Sequence, residues 1–469
     1  MKLCIIGTGY VGLVTGTCLA DLGNEVIFCD TDVNKISSLK KKEIPIYEPG
    51  LKEVLLRNFE KDRIALSTDT ARAIEQSSVV FITVGTPEDH TGAADLSYIK
   101  CVAEEIGKSL NEYKVIVNKS TVPVGTSRLV ASIIARESGG NVAFDVVSNP
   151  EFLREGSAVE DFMNPYRVVI GSSSERAAEI MTKLYEPLKT NVLVTDPASS
   201  EMIKYTSNAF LAAKVSFINA VSNICSVVGA DVIKVAEGMG LDKRIGPDFL
   251  QPGPGFGGSC FPKDCKALIK TADDHGYDFY LLKAVMQVNE DQKRYVGKWV
   301  EELLDDLKDK QIGVLGLAFK PETDDMRESA AITVIEYLME KGAKVRAYDP
   351  IATDNAKQVL SSEIEFAADA YEVAADCDAL ILLTHWDEFK KLDFAKLRSL
   401  MAQPFFIDTR NFLDQNEMES LGFVYRGVGK PEFGKKATNH NGARDCFTMD
   451  CVSYSNDGQA FGDGIETLK

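Results

Sequence analysis

The chain has 469 residues, 45% of them hydrophobic and 26% charged. That is an ordinary globular composition, long enough for about three domains. Lys and Arg number 52 and Asp and Glu 70, a formal net charge of −18. Such a balance excludes a global electrostatic footprint for nucleic acid or an anionic membrane, but not a small basic pocket.

No apolar run approaches about 18 residues, so no membrane-crossing helix is expected. The 10 cysteines are scattered. They lack zinc-finger or CxxC spacing, and no metal site is expected. The pattern points to free thiols in a reducing, cytoplasmic compartment.

Residues 1–198 alternate short apolar runs with amphipathic stretches. Leu3–Ile6, Glu25–Cys29, Val79–Val84, Val115–Asn118 and Asp145–Ser148 read as buried strands, the last closing this lobe. The pattern predicts a parallel sheet with helices on both faces.

Gly7-Thr8-Gly9-Tyr10-Val11-Gly12 follows the first strand and precedes an amphipathic segment. In that context GxGxxG binds a dinucleotide. Gly7 serves the tight turn, Gly9 the approach of the pyrophosphate, and Gly12 close helix packing. Asp30 ends the second strand, where a carboxylate accepts ribose hydroxyls and favours NAD over NADP. Lys35 is either a contact on the adenosine side or a solvated helix lysine. Thr86, in Val84–Pro87, and Thr121, in Ser120–Pro123, sit at later strand ends and read as cofactor walls. Glu151 and Glu155, in Asn149–Gly156, are acid/base candidates or helix N-terminal acids.

Residues 199–300 read as all-α, beginning with a long helix over Ser200–Gly229. Lys204 and Asn208 are spaced i, i+4 on it and point the same way, either as a solvated stripe or as a site. Gly255–Asp264 is the most informative stretch. Its glycines expose Cys260 at a helix start, where a cysteine is expected to have a lowered pKa and to act as a nucleophile. Asp264 shares its helix face. Cys4, Cys18, Cys29, Cys101, Cys225, Cys265 and Cys377 read as buried packing.

Residues 301–430 resume strand–helix alternation, with strands at Gln311–Leu315, Lys344–Tyr348, Ala379–Leu383 and Phe405–Asp408. "KLCIIGTGYVG" and "QIGVLGLAFK" echo one another, as do "EVIFCDTD" and "KVRAYDPI". This is a weak internal repeat of one nucleotide-binding half. Phe319 replaces the third glycine, so the second copy should not hold a dinucleotide in the usual way. The expected fold class is α/β, two Rossmann-like doubly wound lobes joined by a central all-α region. Residues 431–469 read as a polar tail, and Cys446 and Cys451 within it have no assigned role.

In order, Gly7–Gly12, Ser120–Pro123, Asn149–Gly156, Lys204 with Asn208, Phe256–Asp264 and Phe319-Lys320 resemble the nucleotide-sugar dehydrogenases. The resemblance is to the UDP-glucose/GDP-mannose dehydrogenase family and covers roughly residues 1–430. It implies oxidation of UDP-glucose to UDP-glucuronate by two NAD and one water, on a homodimer built through the helical middle. It makes Cys260 the nucleophile, Lys204 and Asp264 the base acting with a water, and Lys204 and Asn208 the oxyanion donors. Glu151 activates the hydrolytic water, while Glu155 and Thr121 order water and cofactor. Lys263 and Arg327 lie on the cofactor side. Phe152, Leu153, Phe249, Gly257, Phe319, Lys320 and Arg410 hold the UDP-sugar, and Arg244 reaches the neighbouring subunit's site. Rival expectations are a GDP-mannose or UDP-N-acetylmannosamine dehydrogenase, a two-electron hydroxyacid dehydrogenase, and a non-catalytic nucleotide-sugar binder.

Overall fold

The computed structural model describes residues 1–431 as one compact unit. The tail beyond, with Cys446 and Cys451, lies outside the described residues.

The first sheet comprises β1 (Lys2–Ile6), β2 (Glu25–Cys29), β3 (Ile64–Ser67), β4 (Val79–Ile82), β5 (Lys114–Asn118), β6 (Phe144–Ser148), β7 (Val168–Ser172) and β8 (Val192–Thr195). Their order is β3-β2-β1-β4-β5-β6-β7-β8. Side chains alternate across the sheet. Leu3 and Ile5 enter one apolar core, whereas Cys4 and Ile6 enter the other. Both faces are therefore covered, and the strands read as continuous apolar runs.

Two expectations are corrected here. The sheet is not wholly parallel, because β7 pairs antiparallel with β6 through Val147↔Ser172 and Ser148↔Gly171. Nor does β6 close the lobe, since β7 and β8 follow it. The chain stays at the carboxyl end of β6 through Asn149–Gly156 and the short helix Ala158–Met163, then re-enters from that end. A parallel neighbour would need a crossover back to the other end.

The second sheet comprises β9 (Gln311–Leu315), β10 (Lys344–Tyr348), β11 (Glu365–Phe366), β12 (Ala379–Leu382), β13 (Phe405–Asp408) and β14 (Val424–Gly427), ordered β11-β10-β9-β12-β13-β14. Its six positions repeat β3-β2-β1-β4-β5-β6, so the echo in sequence is an echo in topology. The acids at the ends of β2 and β10 differ in use. Asp349 is buried and accepts from the N–H groups of Leu317 and Ala318 and from the Trp386 indole. A carboxylate so spent is not free for a ribose.

Between the sheets runs a 32-residue helix, Pro197–Val228. Pro197 starts it, Asp196 caps it by accepting from Ser199 N–H, and Gly229 at φ 78° ends it. Contrary to the sequence expectation, its length and composition suffice to cross a membrane, with a mean hydropathy of 1.5 in its most apolar window. Yet it packs against Phe261–Asp274 and Tyr280–Leu304 and buries Glu201, Lys204 and Asn208. One stripe of this helix stays exposed: Phe210, Phe217, Ile224 and Val228. Cys101 is also exposed, against expectation. On the amphipathic helix Ser97–Lys108, Ile99, Ala103 and Ile106 take the inner face, leaving Cys101 outside.

Candidate active site

The first part of the site lies where β1 and β4 part. Gly7 turns the chain at φ 102°, a left-handed value that only glycine adopts freely. A Cβ on Gly12 would lie 1.9 Å from the Gly7 carbonyl oxygen, whereas one on Gly9 would meet nothing within 4 Å. The helix Tyr10–Asp21 thus starts tight against the turn, with open space at Gly9. No side chain caps it and no acid sits in its first turn. Its free N–H groups and dipole suit a pyrophosphate.

Asp30 Oδ2 accepts from Thr8 N–H and Thr8 Oγ1, each at 2.8 Å. Burial pushes this carboxyl up, but bonds from Asp32 and Thr8 outweigh it and hold it below its ordinary value. Lys35 is exposed nearby. Thr86 Oγ1 donates to the Thr121 carbonyl at 2.8 Å, locking the loops after β4 and β5 together. Tyr10 donates to Glu48, which also accepts from the N–H groups of Gly156 and Ala158. The fingerprint helix, with Val11 half-buried on it, is thereby tied to the loop that carries Glu151 and Glu155. Turn, open helix end and strand-end acid together fit a dinucleotide.

The second part is a reactive centre. Cys260 precedes the helix Phe261–Asp274, and Asp264 N–H donates to its carbonyl. Lys204 Nζ lies 2.9 Å from Glu151 Oε1. Asn208 Nδ2 donates to Asp264 Oδ2 at 2.6 Å, and Lys263 pairs with Asp264 Oδ1. Lys204 sits on Glu151, and Asn208, one turn along, takes Asp264.

The lowered pKa expected for Cys260 is also corrected. Burial first and then Glu151 push its thiol up to about 11, against Lys204 and Ser259. Dense surroundings outweigh the helix end. Burial opposes the charges of Glu151 and Lys204 too, but their mutual attraction wins, lowering the carboxyl and raising the ammonium. Glu155 accepts from Ser259 at 2.8 Å and from Thr323 at 3.3 Å, with Arg327 3.7 Å away. Burial and then Asp325 raise its carboxyl. Arg327 is otherwise committed to Asp325.

The third part is a cavity of about 980 Å³. Cys260, Glu151, Lys204 and Asn208 line it from the first lobe and the helical middle. Phe319, Lys320 and Arg410 line it from the second lobe. Gly257 and Gly258 make that closure possible. A Cβ on Gly257 would lie 2.1 Å from the Glu328 carbonyl oxygen, and one on Gly258 2.7 Å from the Phe319 ring. Arg410 donates to the carbonyls of Leu383 and Phe319, and burial pulls its guanidinium down to about 10. Lys320 donates to the Glu155 carbonyl, and burial lowers it as well. Arg167 stacks on the Phe152 ring at 3.7 Å, and Leu153 N–H donates to Glu151 at 2.6 Å. Phe249 packs beside Phe261 with ring centroids 6.0 Å apart. Against a net charge of −18 the cavity is locally cationic.

Some predicted residues lie off this cavity. Thr121, Lys263, Asp264 and Arg327 do not line it. Arg244 is 89% exposed, bonded to Asp242, and does not line this cavity either. The lining residues that were missed include Lys119 and His385. Both follow strands, β5 and β12, at carboxyl ends where ligands gather, and that position was the available signal.

The UDP-glucose/GDP-mannose dehydrogenase family matches the chain in three parts. Its NAD binding domain matches residues 1–189, its central domain 198–291, and its UDP binding domain 313–415. A UDP-glucose 6-dehydrogenase of Bacillus subtilis (strain 168) is 51% identical over 92% of this chain and 93% of its own. One from Rhizobium meliloti (strain 1021) is 48% identical over 92% and 100%. The solved structure of a UDP-glucose dehydrogenase from the archaeon Pyrobaculum islandicum superposes with a TM-score of 0.86. It is 39% identical and covers 92% of this chain and 98% of its own.

Proposed function

The chain belongs to the UDP-glucose/GDP-mannose dehydrogenase family, and we propose that it oxidises UDP-glucose to UDP-glucuronate in two steps at Cys260. It is an NAD-dependent dehydrogenase. The observation that carries the reading is the convergence of Cys260, Lys204, Asn208 and Glu151 on one cavity closed by Lys320 and Arg410.

NAD supplies the hydride acceptor, one molecule for each of two hydrides leaving C6 of the sugar. The C6 hydroxyl proton passes to a water held by Lys204 and Asp264. Cys260 Sγ then bonds the aldehyde carbon, and the thiol proton leaves. Lys204 and Asn208 donate to the resulting thiohemiacetal oxygen, as an oxyanion hole does. The second oxidation turns that adduct into a thioester. Glu151 takes a proton from water, water bonds C6, and the C6–Sγ bond breaks. Covalent capture keeps the aldehyde from escaping between steps. A two-electron hydroxyacid dehydrogenase needs no such cysteine.

Arg410 and Lys320 hold the UDP-sugar, with Phe249 and the glycines around Gly257 at the nucleoside. The Gly7–Gly12 turn, Asp30, Thr86 and Thr121 hold NAD, with Lys263 and Arg327 nearby. The exposed stripe of Phe210, Phe217, Ile224 and Val228 supports a homodimer, in which Arg244 completes the neighbouring site. The eight described cysteines are all free, which supports a cytoplasmic enzyme.

Steady-state assays test the reading: UDP-glucose yields two NADH per sugar. One NADH per sugar defeats the four-electron mechanism. Turnover of GDP-mannose or UDP-N-acetylmannosamine, with none of UDP-glucose, moves the chain to the sister activity, which the same reactive residues would serve.

A further inference from the structure

Lys119 follows β5 and lines the substrate cavity, yet it is 5% exposed. Its ammonium donates to two neutral oxygens, Asn149 Oδ1 at 3.1 Å and the Pro150 carbonyl at 3.5 Å. Among the described residues no carboxylate forms an ion pair with it. Buried charges normally find an opposite charge, and those without one gather at functional sites. The position is enforced. Asn149 Nδ2 donates to the Val169 carbonyl at 2.7 Å, and Tyr185 donates to Asn149 Oδ1 at 2.6 Å. The amide oxygen is thereby held toward Lys119, and Pro150 joins it directly to Glu151.

Glu151 faces Lys204 from the long helix, Lys119 from the end of β5, and Cys260 from the loop before Phe261–Asp274. Asp264 acts on Lys204, and the Tyr185 ring lies 5.7 Å from Lys119. Under the proposed function Lys204 must turn toward the sugar oxygen. A buried carboxylate that loses its cation takes up a proton and stops being a base.

We infer that Lys119 is a positioning residue for thioester hydrolysis, its tethered ammonium keeping Glu151 ionised while Lys204 serves the substrate. In that step the water oxygen bonds C6 and the C6–Sγ bond breaks. One water proton passes to Glu151, the other leaves with the product acid, and no electron is exchanged. The inference rests on the function proposed above.

The test is pre-steady-state turnover of the full chain with UDP-glucose and NAD. On the acid limb of the profile, Lys119→Met should keep the burst of NADH but slow steady turnover by about 10-fold, roughly one pK unit at Glu151. A UDP-glucuronyl adduct on Cys260 should accumulate in the mass spectrum, and the acid limb of kcat should move to higher pH. Burial, opposed by Glu151, sets Lys119 itself at about 8. Lys119→Arg should therefore restore the acid limb, because a guanidinium stays charged throughout. Lys119→Gln serves should Lys119→Met fail to fold. Unmoved limbs, or a change confined to KM, overturn the role of Lys119. A wild-type enzyme yielding one NADH per sugar overturns instead the function beneath it.

Discussion

Lys204 Nζ and Glu151 Oε1 lie 2.9 Å apart, with side chains only 4% and 6% exposed. The pair joins the long helix to the loop after β6 through residues 53 positions apart in the chain. Breaking one side of a sealed pair leaves an uncompensated charge, so Lys204→Met should cost about 3–5 kcal/mol in urea unfolding. The double variant with Glu151→Gln should recover part of that loss. Strict additivity would show that the two do not couple.

The same pair fixes a pH dependence. Glu151 is depressed below its ordinary value of 4.5 on folding. Its contribution is therefore fully present above that value and is lost as pH falls through the lower folded pKa. The stability of the wild type over Glu151→Gln should be level near neutrality and shrink in acid. An advantage constant down to pH about 3 contradicts this linkage.

Cys260 titrates high, at about 11. Its alkylation by iodoacetamide in the free enzyme should quicken about tenfold per pH unit between pH 7 and 10, because the thiolate is the nucleophile. A rate already level at pH 8 would mean a low-pKa thiol. Cys260→Ser should lose turnover yet bind UDP-glucose in calorimetry. Unchanged turnover would leave the cysteine without a catalytic role.

Gly12 admits no side chain, because a Cβ would sit 1.9 Å from the Gly7 carbonyl. Gly12→Ala must push the fingerprint helix from the turn. The expected result is a loss of about 1–3 kcal/mol in stability and a weakened affinity for NAD. Normal NAD binding by fluorescence titration would contradict the turn described for the cofactor.

Phe217 is 55% exposed in the apolar stripe of the long helix. Phe217→Glu should halve the mass seen by light scattering if that stripe joins two copies. Arg244→Ala should leave thermal stability within about 0.5 kcal/mol, as for a surface residue, but raise KM for UDP-glucose. An unchanged KM would remove Arg244 from the neighbouring site.

The GxGxxG turn, the acid at Asp30 and the glycine-flanked Cys260 were legible because backbone chemistry demands particular residues at fixed local spacing. The strands β3, β7, β8, β11 and β14 were not. β11 is only two residues long, and β8 leaves Leu193 and Val194 exposed, so neither alternation nor a buried run marks it. Lys119 and His385 escaped because a lone cation or imidazole in a loop carries no periodic signal.

Local order in the chain determined the two related α/β lobes, the helical joint and which residues carry reactive groups. Tertiary structure decided their partners. Lys204 went to Glu151 and Asn208 to Asp264, Asp349 was spent within its own lobe, and the Cys260 thiol was raised rather than lowered. The reason is physical: spacing along a helix sets which side chains share a face. Which charge meets which, and how much water remains around them, depends on elements that only folding brings together. The global charge of −18 could not disclose the cationic cavity for the same reason.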